Sequence, residues 1–284
     1  ERRVQRGELD VNTSFLSNRW QHMNEVMPGY ARPHMSLATS YRALNTHDRG
    51  PLQDRRVRRA LSEAIDREFI TGKLMRAGQV PAYSFVPPGT AHYTQGARLR
   101  WADESFAQRQ IEAKALLAQA GFTAKRPLKV EIKTQNATES LLLAEAVQAD
   151  WRAIGVEATI AQNETPIAFA AYRNRDFQVG GMSWYADFND PVTFLGLLKS
   201  DTGAQNYGDY KSAAYDALLA QADNEADEAK RAKILSRAEQ TMLDDEGIAP
   251  IYFIVNRNIV NPKVTGWVDN SENFHRARWL CVKR

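Results

Sequence analysis

Apolar positions along the chain recur with two different periods, and their order sets the expected architecture. Residues 35–44 form an apolar stretch that suits a strand. Beyond Pro51 and Asp54, positions Val57, Ala60, Leu61, Ala64, Ile65 and Phe69 recur at helical spacing, with charges filling the opposite face. Asp54 suits the N-cap, because a carboxylate there accepts from the free amides of the first turn. Residues 77–93 carry Gly78, Pro81, Pro87, Pro88 and Gly89 and predict a loop.

Two units with the same logic follow. Residues 111–120 predict a helix closed by Gly121, then a strand over 128–134 with Val130 and Ile132 on one face. Residues 141–154 predict a second helix closed by Gly155, then a strand over 156–161. Glycine takes the left-handed conformation that ends a helix and turns the chain into a strand. Residues 177–182 read as a further short strand that runs into Trp184, Tyr185, Ala186, Asp187 and Phe188. Helices are expected over 212–222 and 227–243, the second with Ala232, Leu235, Ala238 and Met242 on one face. The compact apolar run 248–255 predicts a buried strand, and the chain beyond it predicts irregular structure with one or two short strands. Helices alternating with short strands indicate an α/β layer structure.

Composition narrows the class. With 43% apolar and 25% charged residues the chain reads as globular rather than disordered. The run at 248–255 falls far short of the roughly 20 residues that a spanning helix needs. Net charge is only +3 and the basic residues are dispersed, which argues against a nucleic-acid partner. The sequence opens on Glu1-Arg2-Arg3-Val4 and polar residues follow, so no signal peptide is expected. Cys281 is the single cysteine and reads as a small, partly buried apolar residue.

The five histidines show no HExxH or paired spacing, and no GxSxG elbow or P-loop is present. Asp244 and Asp245 close a helix and read as solvated. No catalytic constellation, metal or cofactor is therefore expected. Residues 183–191 (SWYADFNDP) place two aromatics, a carboxylate and an Asn-Asp-Pro turn directly after a strand. Two readings stay open: a strand end with core aromatics and a turn, or a pocket whose aromatic walls flank a carboxylate suited to a cationic group.

Six segments in a fixed order carry a resemblance. They are GELDV at 7–11, PLQDRRVRRALSEAIDR at 51–67, EAKALLAQAGF at 112–122, WYADFNDPVTFL at 184–195, QNYGDYKSAAYDALL at 205–219 and AEQTMLDDEGIAPIYF at 238–253. In these the chain resembles the C-terminal half of the family 5 extracellular solute-binding proteins, the oligopeptide, dipeptide and nickel-binding proteins of ABC importers. The resemblance implies a type II periplasmic-binding-protein-like α/β lobe, with a mixed sheet covered by helices, plus part of a second lobe. Residues 1–40 would end an incomplete first lobe, 41–253 would form the second, ligand-binding lobe, and 254–284 would return to the first. The strands at 35–44 and 251–255 would be the hinge crossings.

The same resemblance implies a monomeric, periplasmic, non-enzymatic binding protein that takes short peptides between two lobes and delivers them to the transmembrane permease subunits. Asp187 would pair with the ligand's α-amino group, and Trp184 would wall the cleft. The backbone of Ser183, Trp184 and Tyr185 would pair with the ligand as an added strand. Arg173 would lie near the ligand's far end, on an alignment with one residue deleted before Phe177. Gly181 and Pro166 depart from the pattern, standing where some members have arginine and tryptophan, which bears on ligand length and C-terminal recognition. Rival readings are the same fold binding a metal chelate, a haem or a sugar derivative, or acting as a ligand sensor.

Overall fold

The computed structural model describes residues 1–47, 50–93 and 96–283. Among these, nine strands run in chain order: β1 Val11–Asn12, β2 Ala31–Leu44, β3 Val80–Pro81, β4 Lys129–Gln135, β5 Glu157–Asn163, β6 Val179–Tyr185, β7 Ile248–Val260, β8 Val264–Thr265 and β9 Cys281–Val282. The α-helical segments are α1 Arg2–Gln5, α2 Trp20–Val26, α3 Arg55–Glu63, α4 Arg67–Phe69, α5 Phe106–Gln119, α6 Thr138–Ala153, α7 Thr165–Arg173, α8 Val192–Leu195, α9 Ala213–Asp223 and α10 Glu228–Asp244.

Seven strands form one sheet in the order β1-β7-β2-β6-β4-β5, with β3 on β7, and β8 pairs with β9 apart from it. The pairs β4–β5 and β4–β6 are parallel, and the others are antiparallel. Parallel neighbours need a long crossover, which α6 supplies between β4 and β5. The result is the mixed α/β sheet expected from the alternating helices and strands.

Local sequence explains the helix limits. Asp54 accepts from the amide of Arg56, and Ser105 and Gln108 form a reciprocal capping box at the start of α5. Gly121 and Gly155 adopt φ of +88° and +86° just beyond α5 and α6, the conformation for which glycine was expected there. Each face of the sheet carries its own core. Leu44, Val130, Ile132, Val179 and Ile251 pack with α3, α5 and α6 on one face. Tyr41, Ala43, Met182 and Ile248 pack with α9 and α10 on the other. A third cluster joins Val4, Phe15, Met23 and Met27 to Ile259 at the end of β7.

Several expectations need correction. The helix from Asp54 does not continue to Phe69: α3 ends at Glu63, Asp66 caps a new turn by accepting from Phe69 N, and Phe69 is 49% exposed. A π-helical turn, Ile70–Met75, follows. The break turns Arg67 inward, where its side chain is fully buried. The predicted loop over 77–93 contains β3, whose Val80 and Pro81 pair with Phe253 and Tyr252. Asp244 and Asp245 are half-buried rather than solvated, Asp244 paired with Arg100 and Asp245 accepting from the Tyr210 hydroxyl. Cys281 is exposed on β9, where no core reaches it.

Candidate ligand-binding site

The site grows from the register of β6. Along β2 it pairs from Leu44↔Val179 to Ala38↔Tyr185, whereas along β4 it pairs only at Val179 and Gly180. Beyond Gly180 the outer edge of β6 therefore has no strand beside it among the described residues. Such an edge presents backbone donors and acceptors to any incoming chain. The strand outlasts the predicted 177–182, because pairing with β2 carries it through Ser183, Trp184 and Tyr185.

Side chains opposite each other in an antiparallel pair share a face. On one face Ser40, Arg42, Gly181, Ser183 and Tyr185 line a cavity of about 390 Å³, closed by Thr134, Tyr252 and Glu139. Arg257, from β7, pairs with Glu139 and donates to the Ser17 hydroxyl in the same cavity. Burial pushes the Glu139 carboxyl up, but Arg257 and the Ser17 amide more than offset this and hold it below the usual range. Burial also raises Tyr252 to about 12, so its phenol stays protonated.

A second cavity of about 460 Å³ shares Tyr185 with the first and contains Asp187, Phe188, Asn256 and Phe274. Asp187 lies exposed at the end of β6, and its amide donates to Thr193 Oγ1 at 3.0 Å. Trp184 Nε1 donates to the same hydroxyl at 3.4 Å. The buried Thr193 thus fixes both the indole and the turn that carries the carboxylate. No described arginine or lysine forms an ion pair with Asp187.

The structure brings Ser183, Tyr185 and Asp187 to one strand edge, with Trp184 packed against the core behind it. It does not bring Arg173 there. Arg173 ends α7, is exposed and lines neither cavity. Pro166 sits in the first turn of α7, where its missing N–H costs no hydrogen bond. Sequence reasoning missed Arg42, Glu139 and Arg257. The available signal for Arg42 was a charge inside the apolar stretch 35–44 that the sequence reads as a strand.

A mixed sheet with helices on both faces, open at one strand edge beside a polar cavity, is the layout of a solute-binding lobe of type II. The profile of the bacterial extracellular solute-binding proteins, family 5, matches residues 2–206, and the chain belongs to that family. The periplasmic oligopeptide-binding protein OppA of Salmonella typhimurium is 35% identical over 99% of this chain and 52% of its own length. The murein tripeptide-binding protein MppA of Escherichia coli superposes with a TM-score of 0.91 at 32% identity, over 99% of this chain and 55% of that structure. OppA of Burkholderia pseudomallei superposes with a TM-score of 0.92 at 28% identity, over 100% of this chain and 56% of that structure. The chain thus spans about half the length of these relatives. None of the described helices is long and apolar enough to cross a membrane.

Proposed function

We propose that this chain is the second lobe, with part of the first, of a periplasmic binding component that captures short peptides for an ABC permease, and that it catalyses no reaction. Residues 41–253 form the ligand-binding lobe in this reading, and 1–40 with 254–284 belong to the first lobe. β2 and β7 are then the two crossings between lobes.

The observation that carries the reading is the unpaired edge of β6 over Ser183–Tyr185, ending at the exposed carboxylate of Asp187. A peptide laid along that edge gains backbone hydrogen bonds that are blind to its side chains. Its α-amino group meets Asp187, a charge-assisted bond of about 1.5–3 kcal/mol. The names of the relatives, oligopeptide-binding and murein tripeptide-binding proteins, agree with this ligand class.

The test is a double-mutant cycle on the full-length protein, titrating one peptide in free and N-acetylated forms against wild type and Asp187→Asn. The free peptide loses about tenfold to a hundredfold in the variant, and the acetylated peptide, already weak, loses little more. Equal loss for both forms, or none, removes the peptide reading and moves another small solute ahead.

A further inference from the structure

Arg42 lines the polar cavity and is 1% exposed, and its Nε and Nη2 are buried with no hydrogen-bond partner. Its position opposite Gly181 explains where the guanidinium lies. A Cβ on Gly181 would stand 2.6 Å from Arg42 Nη1, so the side chain occupies the space that glycine leaves. The ionisable groups acting on it are the phenols of Tyr172 and Tyr252, neither of them an anion at neutral pH. Burial lowers its pKa to about 10, which still leaves it a cation at neutral pH. The other arginine of the cavity, Arg257, already has Glu139. The cavity therefore holds one uncompensated positive charge.

A buried guanidinium without acceptors is costly, and a carboxylate repays that cost best by accepting two parallel N–H bonds. We propose that Arg42 is an anion subsite, holding a carboxylate of the same peptide whose amino group meets Asp187. This rests on the peptide reading above. Asp187 is six positions beyond Gly181, the first four of them along β6, so the two lie at most about 20 Å apart at roughly 3.3 Å per strand residue. An extended peptide of up to about six residues spans that length. The carboxylate comes either from the peptide's C-terminus or from an acidic side chain.

Both sources are separated by titrating the full-length wild type, Arg42→Met and Asp187→Asn with three versions of one peptide: free acid, C-terminal amide, and free acid with its one Glu replaced by Gln. For a C-terminal contact, amidation weakens wild-type binding at least tenfold. Arg42→Met shows the same loss with the free acid and none further with the amide, while Asp187→Asn keeps the amidation effect. For a side-chain contact, the Glu-to-Gln replacement behaves in this way and amidation does not. If Arg42→Met binds every version as wild type does, the subsite is overturned, and a retained Asp187 effect leaves the peptide reading standing. Should no peptide bind, the Arg42 Nε–H NMR signal, identified by its absence in Arg42→Met, is followed while acetate is titrated at constant chloride-balanced ionic strength. A saturable shift supports the anion subsite, and a flat response, as expected if water alone solvates the group, overturns it.

Discussion

Two arginines are buried to the same degree in this molecule and are treated in opposite ways. Arg67, between α3 and β3, donates from Nε to the carbonyls of Ala82 and Pro250, and from Nη1 to those of Ser62 and Ile65. Its guanidinium lies over the rings of Trp101 and Tyr83, at 4.9 and 5.3 Å from their centroids. Arg42, on the cavity face of β2, has none of this. One charge is built into the fold, tying the segment after β3 to the sheet. The other is left for something that arrives later. Burial alone therefore does not mark a structural charge; the count of satisfied donors does.

The largest effect expected from this contrast is at Arg67. Arg67→Ala removes the side-chain donor from the buried carbonyls of Ala82 and Pro250, while those of Ser62 and Ile65 keep backbone donors, and it opens a gap beneath Trp101, so about 3–5 kcal/mol of stability is lost in urea unfolding. A loss below about 1 kcal/mol would mean that water replaces the guanidinium, and the contrast with Arg42 would fail.

Glu239 sharpens the same contrast through pH. It is fully buried and accepts from the amides of Phe85 and Val86 and from the Tyr93 hydroxyl. Burial nevertheless pushes its pKa up from 4.5 to about 7. A carboxyl whose folded pKa lies above its unfolded one favours the protonated folded state. Its stabilisation is complete below about pH 4.5 and is lost as pH rises through about 7. Glu239→Gln keeps an acceptor for both amides and removes the titration. Its unfolding free energy should fall less between pH 4.5 and 7 than that of wild type, by on the order of 2–3 kcal/mol. Glu246, likewise raised to about 7 by burial, keeps part of the slope in the variant. Identical slopes in the two proteins would show that Glu239 stays ionised throughout.

At Arg42 the sign reverses. In the absence of ligand, Arg42→Met replaces an unpartnered buried cation by an apolar chain of similar reach and is neutral or stabilising by up to about 2 kcal/mol. Destabilisation beyond about 1 kcal/mol would show that the guanidinium is structural after all.

The elements that carry their own periodicity were legible before the structure. The helix–glycine–strand units around Gly121 and Gly155, the helix α10 and the core of β7 depend on local spacing and on φ values that only glycine takes cheaply. The break after α3 was not legible, because Ala64, Ile65 and Phe69 keep helical spacing although Asp66 starts a new turn. Within the candidate site, Ser183 to Asp187 could be picked out as a cluster at a strand end. That Ser183–Tyr185 are themselves strand, with a free outer edge, follows from pairing with β2 and from the early departure of β4. The environment of Arg42 depends on which residue lies opposite it, and cross-strand register is not written in either strand alone.

The smallest effect expected is also the most specific to that register. Gly181 does not have a positive φ, so alanine there is compatible with the backbone and reduces the entropy of the unfolded chain, a gain of about 0.4–1 kcal/mol. In wild type the new methyl meets Arg42 Nη1 at 2.6 Å and forces the guanidinium further into the cavity. That displacement moves the end of a flexible side chain rather than backbone, so Gly181→Ala should destabilise by only about 1 kcal/mol. In an Arg42→Met background the guanidinium is gone, and the same substitution should become neutral or stabilising. The two changes are in contact, so their effects on urea unfolding should fail to add by about 1–2 kcal/mol. Gly180→Ala is the control one residue away, where the methyl meets Met182, Phe177 and Tyr172 instead of Arg42. It should cost stability equally in both backgrounds. Simple additivity at Gly181, or coupling of the same size at Gly180, would place the guanidinium elsewhere and remove the contrast between the two buried arginines.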